Sequence, residues 1–226
     1  MYGATNCFEN TKLQITCLDK TKMKFWWKLL LFVITIELID KNCHGKADLS
    51  KNSGQSKGEN GACKYDIIFL LDMSSSVGPS GFEKAKDYVI ETININELNY
   101  YPTQIGIITF SQDANMDIPL KQYKEKDKLI EAIRNIQWKG GVTNTLKGLN
   151  LLRLQGFTEE NRYGEKITKI GIVVTDGKCT HPVATNAEAE RVESNGIRLY
   201  SKGIGDDFDE EGLRNIGRLV PGTDCF

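Results

Sequence analysis

The sequence predicts an α/β domain in which a doubly wound, mostly parallel sheet is flanked by helices. Four strand-length runs, at residues 66–72, 105–110, 170–176 and 197–200, are nearly continuous in apolar residues, as strands buried on both faces must be. Between and beside them lie segments 82–95, 127–136, 145–154 and 184–194, with apolar residues three and four apart, the period of a helix that covers a sheet with one face. Strand and helix therefore alternate, and that order winds a parallel sheet with helices on both sides.

The first elements of the 226-residue chain stand outside this pattern. Residues 23–45 read as a secretory signal peptide. Lys24 and Lys28 form a positive start, an apolar run of about ten residues follows, and Cys43, His44 and Gly45 precede polar chain. The run is too short to span a bilayer, so no membrane span is expected in the mature chain. A buried core helix, or a signal anchor starting at Met1, is the alternative. Residues 1–22 are then an upstream extension, 46–62 a polar linker too poor in apolar residues to fold, and 63–226 the domain. The 29 basic and 30 acidic residues are interspersed, which leaves no footprint for nucleic acid or an anionic membrane surface.

Within the domain, the first strand ends at Asp72 and the helix 82–95 follows. After the second strand, Met116, Ile118 and Leu120 alternate across residues 115–120 and Pro119 interrupts them, which fits a short edge strand. The helix 127–136 leads through Gly140 and Gly141 to the helix 145–154, and the strand 170–176 ends at Asp176. The acidic run at Asp206, Asp207, Asp209, Glu210 and Glu211 reads as a helix N-terminus favoured by the dipole, in preference to a Ca2+ site.

Ligands in doubly wound folds sit beyond the carboxyl ends of the strands, where strand order reverses. Three loops at that edge carry only hard oxygen donors. Asp72, Ser74 and Ser76 alternate along the first; Thr143 follows the glycines of the second; Asp176 ends the third strand. Two carboxylates and three hydroxyls, with no His or Cys cluster, suit one hard divalent cation, Mg2+ or Mn2+ rather than Ca2+. Such a site keeps an open position that a partner's Asp or Glu carboxylate can fill. Taken singly, Ser74, Ser76 and Thr143 have the ordinary alternative of capping helices. Ser75, Asn144, Gly177, Lys178 and His181, with Cys179 beside them, are expected to shape a partner-binding rim. A solvated loop with Cys179 in a disulfide is the other reading of the 178–181 stretch.

Asp72, Ser74, Ser76, Thr143 and Asp176, in this order on these elements, resemble the metal-ion-dependent adhesion site (MIDAS) of von Willebrand factor A and integrin inserted domains. The resemblance covers residues 65 to 226, including the strands at 66–72 and 105–110, the 140–145 loop and Gly203-Ile204-Gly205. It implies a Rossmann-like fold and a secreted protein that binds collagen or another matrix protein through the metal or a nearby face. It also implies a final strand, beginning no earlier than Phe226, and a helix after it, so that the chain would lack both.

An enzyme is the competing class. In a Mg2+-assisted phosphotransferase Asp72 would be the nucleophile, but no second carboxylate follows it at two residues and the glycine loop lacks the Lys-Ser/Thr ending of a P-loop. Neither His44 nor His181 has metal-ligand spacing, so no catalytic residue is expected. A structural matrix subunit with a non-functional metal site is the third reading. Cys7, Cys17 and Cys43 precede the mature chain, so Cys63, Cys179 and Cys225 form an odd set in an oxidising compartment. One of them has an intermolecular partner, a partner outside this sequence, or a free thiol.

Overall fold

The computed structural model describes residues 64–95, 103–157 and 167–220. The extension, the signal peptide, the linker, Cys63 and Cys225 lie outside them. The elements run β1 (Lys64–Asp72), α1 (Gly78–Ile95), β2 (Gln104–Phe110), β3 (Ala114–Ile118), α2 (Lys126–Arg134) and α3 (Thr145–Leu151), which continues into a π-helical turn (Leu152–Gly156). They go on with β4 (Ile167–Thr175), α4 (Pro182–Ser194), β5 (Ile197–Gly203), α5 (Glu210–Ile216) and β6 (Arg218–Leu219). The doubly wound α/β class expected from the alternation is what the chain adopts.

The six strands form one sheet in the order β3-β2-β1-β4-β5-β6. Every pairing is parallel except that of β2 with β3, which is antiparallel. β3 stops at Ile118 because Pro119 has no N–H to donate to a ladder. β1 lies centrally, and its side chains alternate between two cores. Ile67, Phe69 and Leu71 pack with Phe82 and Val89 of α1 and with Leu129 and Ile133 of α2. Ile68 and Leu70 pack on the opposite face with Leu149 of α3, Val192 of α4 and Ile216 of α5. Each such buried side chain contributes about 1.5–3 kcal/mol. A one-residue slip of β1 would exchange the two sets, so its register, and with it the position of Asp72, is strongly specified.

From β1 the chain steps outward to β2 and β3 on one side, then crosses to β4, β5 and β6 on the other. Strand order reverses between β1 and β4, which opens a crevice at their carboxyl ends. Leu71 lies opposite Val174 there, so Asp72 and Asp176 leave the sheet side by side.

Two local features shape that end of the molecule. Lys86, 3% exposed on α1, donates to the carbonyls of Arg134 at 3.0 Å and Ile136 at 3.1 Å. It thereby satisfies orphan acceptors at the end of α2 and fixes the chain entering residues 137–141. Beyond α5, Gly217 passes so close to β5 that a Cβ on it would lie 3.0 Å from the Leu199 carbonyl group. That approach pairs Arg218 and Leu219 with Tyr200 and Ser201, and so adds a two-residue sixth strand after α5, which corrects the expectation that the chain lacks a further strand before Phe226. Among the described residues no helix is long and apolar enough to cross a membrane.

Candidate metal centre

Asp72 is completely buried at the tip of β1. One carboxylate oxygen, Oδ1, accepts from the Ser74 backbone N–H at 2.8 Å, and the other, Oδ2, from the Thr175 hydroxyl at 2.6 Å. Burial pushes its pKa up from 3.8 to about 6, the bonds from Thr175 and Ser74 hold it down in part, and the charge of Asp176 raises it further. Among the described residues no cationic side chain offsets this charge, although a buried carboxylate is costly without a partner. Thr175 is a partner of Asp72 that the sequence reading does not single out. Only the strand register, which sets β4 against β1, brings it to Asp72.

Asp176 is 6% exposed. Its Oδ1 accepts from the Lys178 N–H at 3.0 Å, and its backbone carbonyl from the Asp209 N–H at 2.7 Å. The three expected hydroxyl donors form a chain: Ser74 Oγ lies 3.0 Å from Ser76 Oγ, which lies 3.4 Å from Thr143 Oγ1. These side chains bond to each other and not to the backbone of a following helix, which is the opposite of the capping alternative. Adjacent oxygens around an octahedral cation with ligands at about 2.1 Å are about 3.0 Å apart, a spacing that Ser74 and Ser76 match and that Ser76 and Thr143 exceed by a few tenths of an ångström. Among the described residues no three His, Cys, Asp or Glu side chains gather into a metal cluster. The donor set is hydroxyl-rich, and a cation held here would keep much of its charge.

The loops are tied to each other. Ser75 N–H donates to the Gly141 carbonyl at 2.8 Å, and Gly141 N–H donates back to Ser75 Oγ at 3.0 Å. Thr180 holds the Thr143 carbonyl through its backbone N–H at 2.9 Å and its hydroxyl at 3.0 Å.

The expected rim residues divide. Ser75, Lys178 and His181 are exposed, and Lys178 Nζ pairs with Asp207 at 3.0 Å. Asn144 is half-buried and caps α3, its Oδ1 accepting from the Lys147 N–H at 3.4 Å. Gly177 is not on the surface. It is buried with φ +81°, and a Cβ there would lie 2.4 Å from the Asp209 carbonyl oxygen. Its part is to let the Asp176 loop pass against Asp209. Cys179 is half-buried and forms no disulfide among the described residues.

The sequence profile of the von Willebrand factor type A domain matches residues 66–224. The chain is 34% identical over 164 residues to the collagen alpha-1(XXI) chain of Xenopus laevis, covering 71% of this chain and 16% of that one. It is 30% identical over 151 residues to matrilin-1 of Gallus gallus, covering 67% of this chain and 30% of the relative. It thus spans well under half the length of these relatives. Among solved structures, proximal thread matrix protein 1 of the mussel byssus superposes with a TM-score of 0.62 at 28% identity, over 70% of this chain and 42% of that one. A second structure of that protein, with a zinc-occupied MIDAS motif, superposes with a TM-score of 0.60 at 24% identity over 71% of this chain and 42% of that one, and bears on the fold alone. With the profile spanning most of its length, the chain belongs to the von Willebrand factor type A domain family.

Proposed function

We propose that this protein is a secreted, cation-dependent protein-binding module of the extracellular matrix or cell surface, and that it catalyses no reaction. Asp72, Ser74, Ser76, Thr143 and Asp176 are its metal-holding residues, and residues 63–226 form the binding domain, exported by the signal peptide at 23–45. One observation carries the reading. A carboxylate with no exposure and no cationic partner among the described residues sits at the topological switch point beside a chain of hydroxyls.

The donor chemistry fits one hard divalent cation, Mg2+ or Mn2+. When bound, the cation supplies a Lewis-acidic position for an outside oxygen anion. The chain's own residues hold it, keep Asp72 ionised through Thr175 and Ser74, and present Ser75, Lys178 and His181 around it. The partner class is an extracellular protein, collagen or another matrix protein, engaged through an Asp or Glu side chain. The relatives named collagen, matrilin and thread matrix protein support that setting.

A solid-phase screen of the protein against collagens and other matrix proteins, in Mg2+ or in EDTA, tests the reading, with Asp176→Ala as the control variant. Binding to at least one of these, lost in EDTA and in a folded Asp176→Ala, is the expected result. Binding that ignores both changes overturns it and leaves a structural subunit with a non-functional metal site.

A further inference from the structure

We infer that Trp138, acting with Ser75, is a positioning residue that locks the two hydroxyl-bearing loops into one platform before any cation arrives; this rests on the metal-site reading above. Trp138 lies in the connection between α2 and the glycine loop, half-buried against the core face formed by β1, α1 and α2. Its indole Nε1–H donates to the Ser74 backbone carbonyl at 3.2 Å. The same carbonyl accepts from the Gly78 N–H of α1 at 3.2 Å, so Ser74 is held from both sides. The indole ring also forms the floor under Gly140. A Cβ at that glycine would stand 3.2 Å from the ring and 3.3 Å from Ser75 Oγ, and its backbone is at φ +75°. A side chain between Trp138 and Ser75 at that angle would be strained and would press on both, which favours glycine there.

Ser75 completes the clamp through its paired bonds with Gly141 at 2.8 and 3.0 Å. Besides the Ser76–Thr143 hydroxyl contact, three hydrogen bonds therefore join the loop of Ser74 and Ser76 to the segment that leads to Thr143, and none of these three uses an atom that the metal site needs. The Ser75 hydroxyl, expected at the rim, accepts from the Gly141 N–H of the facing loop. Trp138 is seated in turn by Lys86, whose bonds to the carbonyls of Arg134 and Ile136 hold the chain just ahead of it. A platform assembled in advance lets the cation bind without ordering two loops, which raises affinity with no added ligand.

Mn2+ uptake by the full chain, followed by the loss of the free-ion EPR signal, tests this directly, with thermal unfolding in EDTA measured in parallel. Trp138→Phe keeps the ring under Gly140 and removes only the N–H. Ser75→Ala removes the hydroxyl, and Ser75→Thr restores it. Ile133→Val trims the same core face on α2 without touching the clamp. The expected result is Mn2+ binding about fivefold weaker in Trp138→Phe and in Ser75→Ala, the equivalent of one neutral hydrogen bond each, with wild-type affinity in Ser75→Thr and Ile133→Val. Wild-type affinity in both clamp variants overturns the inference, as does an equal loss in Ile133→Val, which would make the effect one of general stability. If the wild-type chain itself takes up no more Mn2+ than Asp176→Ala, the metal-site reading fails and the clamp fails with it.

Discussion

Replacing Asp72 by asparagine should stabilise the cation-free protein at neutral pH and destabilise it, relative to wild type, once the cation is added. The displacement of its pKa from 3.8 to about 6 corresponds to ~3 kcal/mol. Because the folded value lies above the unfolded one, the folded state holds the extra proton between those limits. The neutral side chain's contribution is complete below pH 3.8 and is lost as pH rises through 6. An amide has no such penalty, but its NH2 cannot accept the Thr175 hydroxyl, a loss of ~1 kcal/mol. In EDTA at about pH 7.5, Asp72→Asn should therefore resist urea by ~2 kcal/mol more than wild type, and the advantage should vanish or reverse near pH 4. With Mg2+ at about a hundredfold over its dissociation constant, wild type gains ~2.7 kcal/mol, the variant gains little, and the order inverts. A gap that does not change with pH would refute the argument that Asp72 is a buried charge awaiting a cation, as would a wild type more stable than the variant in EDTA at neutral pH.

Three further outcomes follow from local geometry. Thr175→Val removes the 2.6 Å bond to Asp72, which stabilises the ionised form by ~1.5 kcal/mol or more; the pH midpoint of Mn2+ uptake, followed by calorimetry at several pH values, should move upward by about one unit. Gly177→Ala sets a Cβ 2.4 Å from the Asp209 carbonyl oxygen at φ +81° and should cost more than ~2 kcal/mol in urea. Gly78→Ala, at φ +66° with nothing within 4 Å, should cost only ~1 kcal/mol.

The strands and helices are legible because their signal is local. β1 reads as a doubly buried strand from its own residues, and α1 to α4 show their apolar stripes without reference to anything distant. Asp72, Asp176 and Thr143 are legible as candidate site residues for a related reason. They stand immediately after elements whose ends the pattern locates, and the switch-point rule says which ends converge. What the pattern omits depends on register and on close approach. Thr175 and Asp72 are 103 residues apart in the chain and meet only through the alignment of β4 with β1. Trp138 carries no periodicity or motif of its own, and only the placement of its indole under Gly140 singles it out. Gly177 and Asn144 look like rim residues because they neighbour Asp176 and Thr143. The first is buried by contact with Asp209, and the second is drawn into the ordinary duty of an asparagine ahead of a helix. The two-residue β6 has no periodicity to display and exists because Gly217 lets the chain touch β5.

Charge decides how completely binding should depend on the cation. Asp72 and Asp176 stand side by side at the crevice, and the charge of Asp176 is felt at Asp72. An approaching partner carboxylate therefore meets two like charges when no cation is held. At about 4 Å and an effective dielectric constant of about 20, each such pair repels by ~4 kcal/mol. A divalent ion cancels both charges and adds an attractive position of its own. Lys178 is a poor substitute for it, since its exposed ammonium group pairs with Asp207 and meets Asp176 only as a solvent-screened charge. Chelation thus turns a charge-neutral site with an open coordination position into a doubly negative one, which is more than the loss of one contact among many. For a partner engaged through a carboxylate at this face, EDTA should abolish binding and not merely weaken it, whereas a partner docking elsewhere on the domain should be indifferent to it.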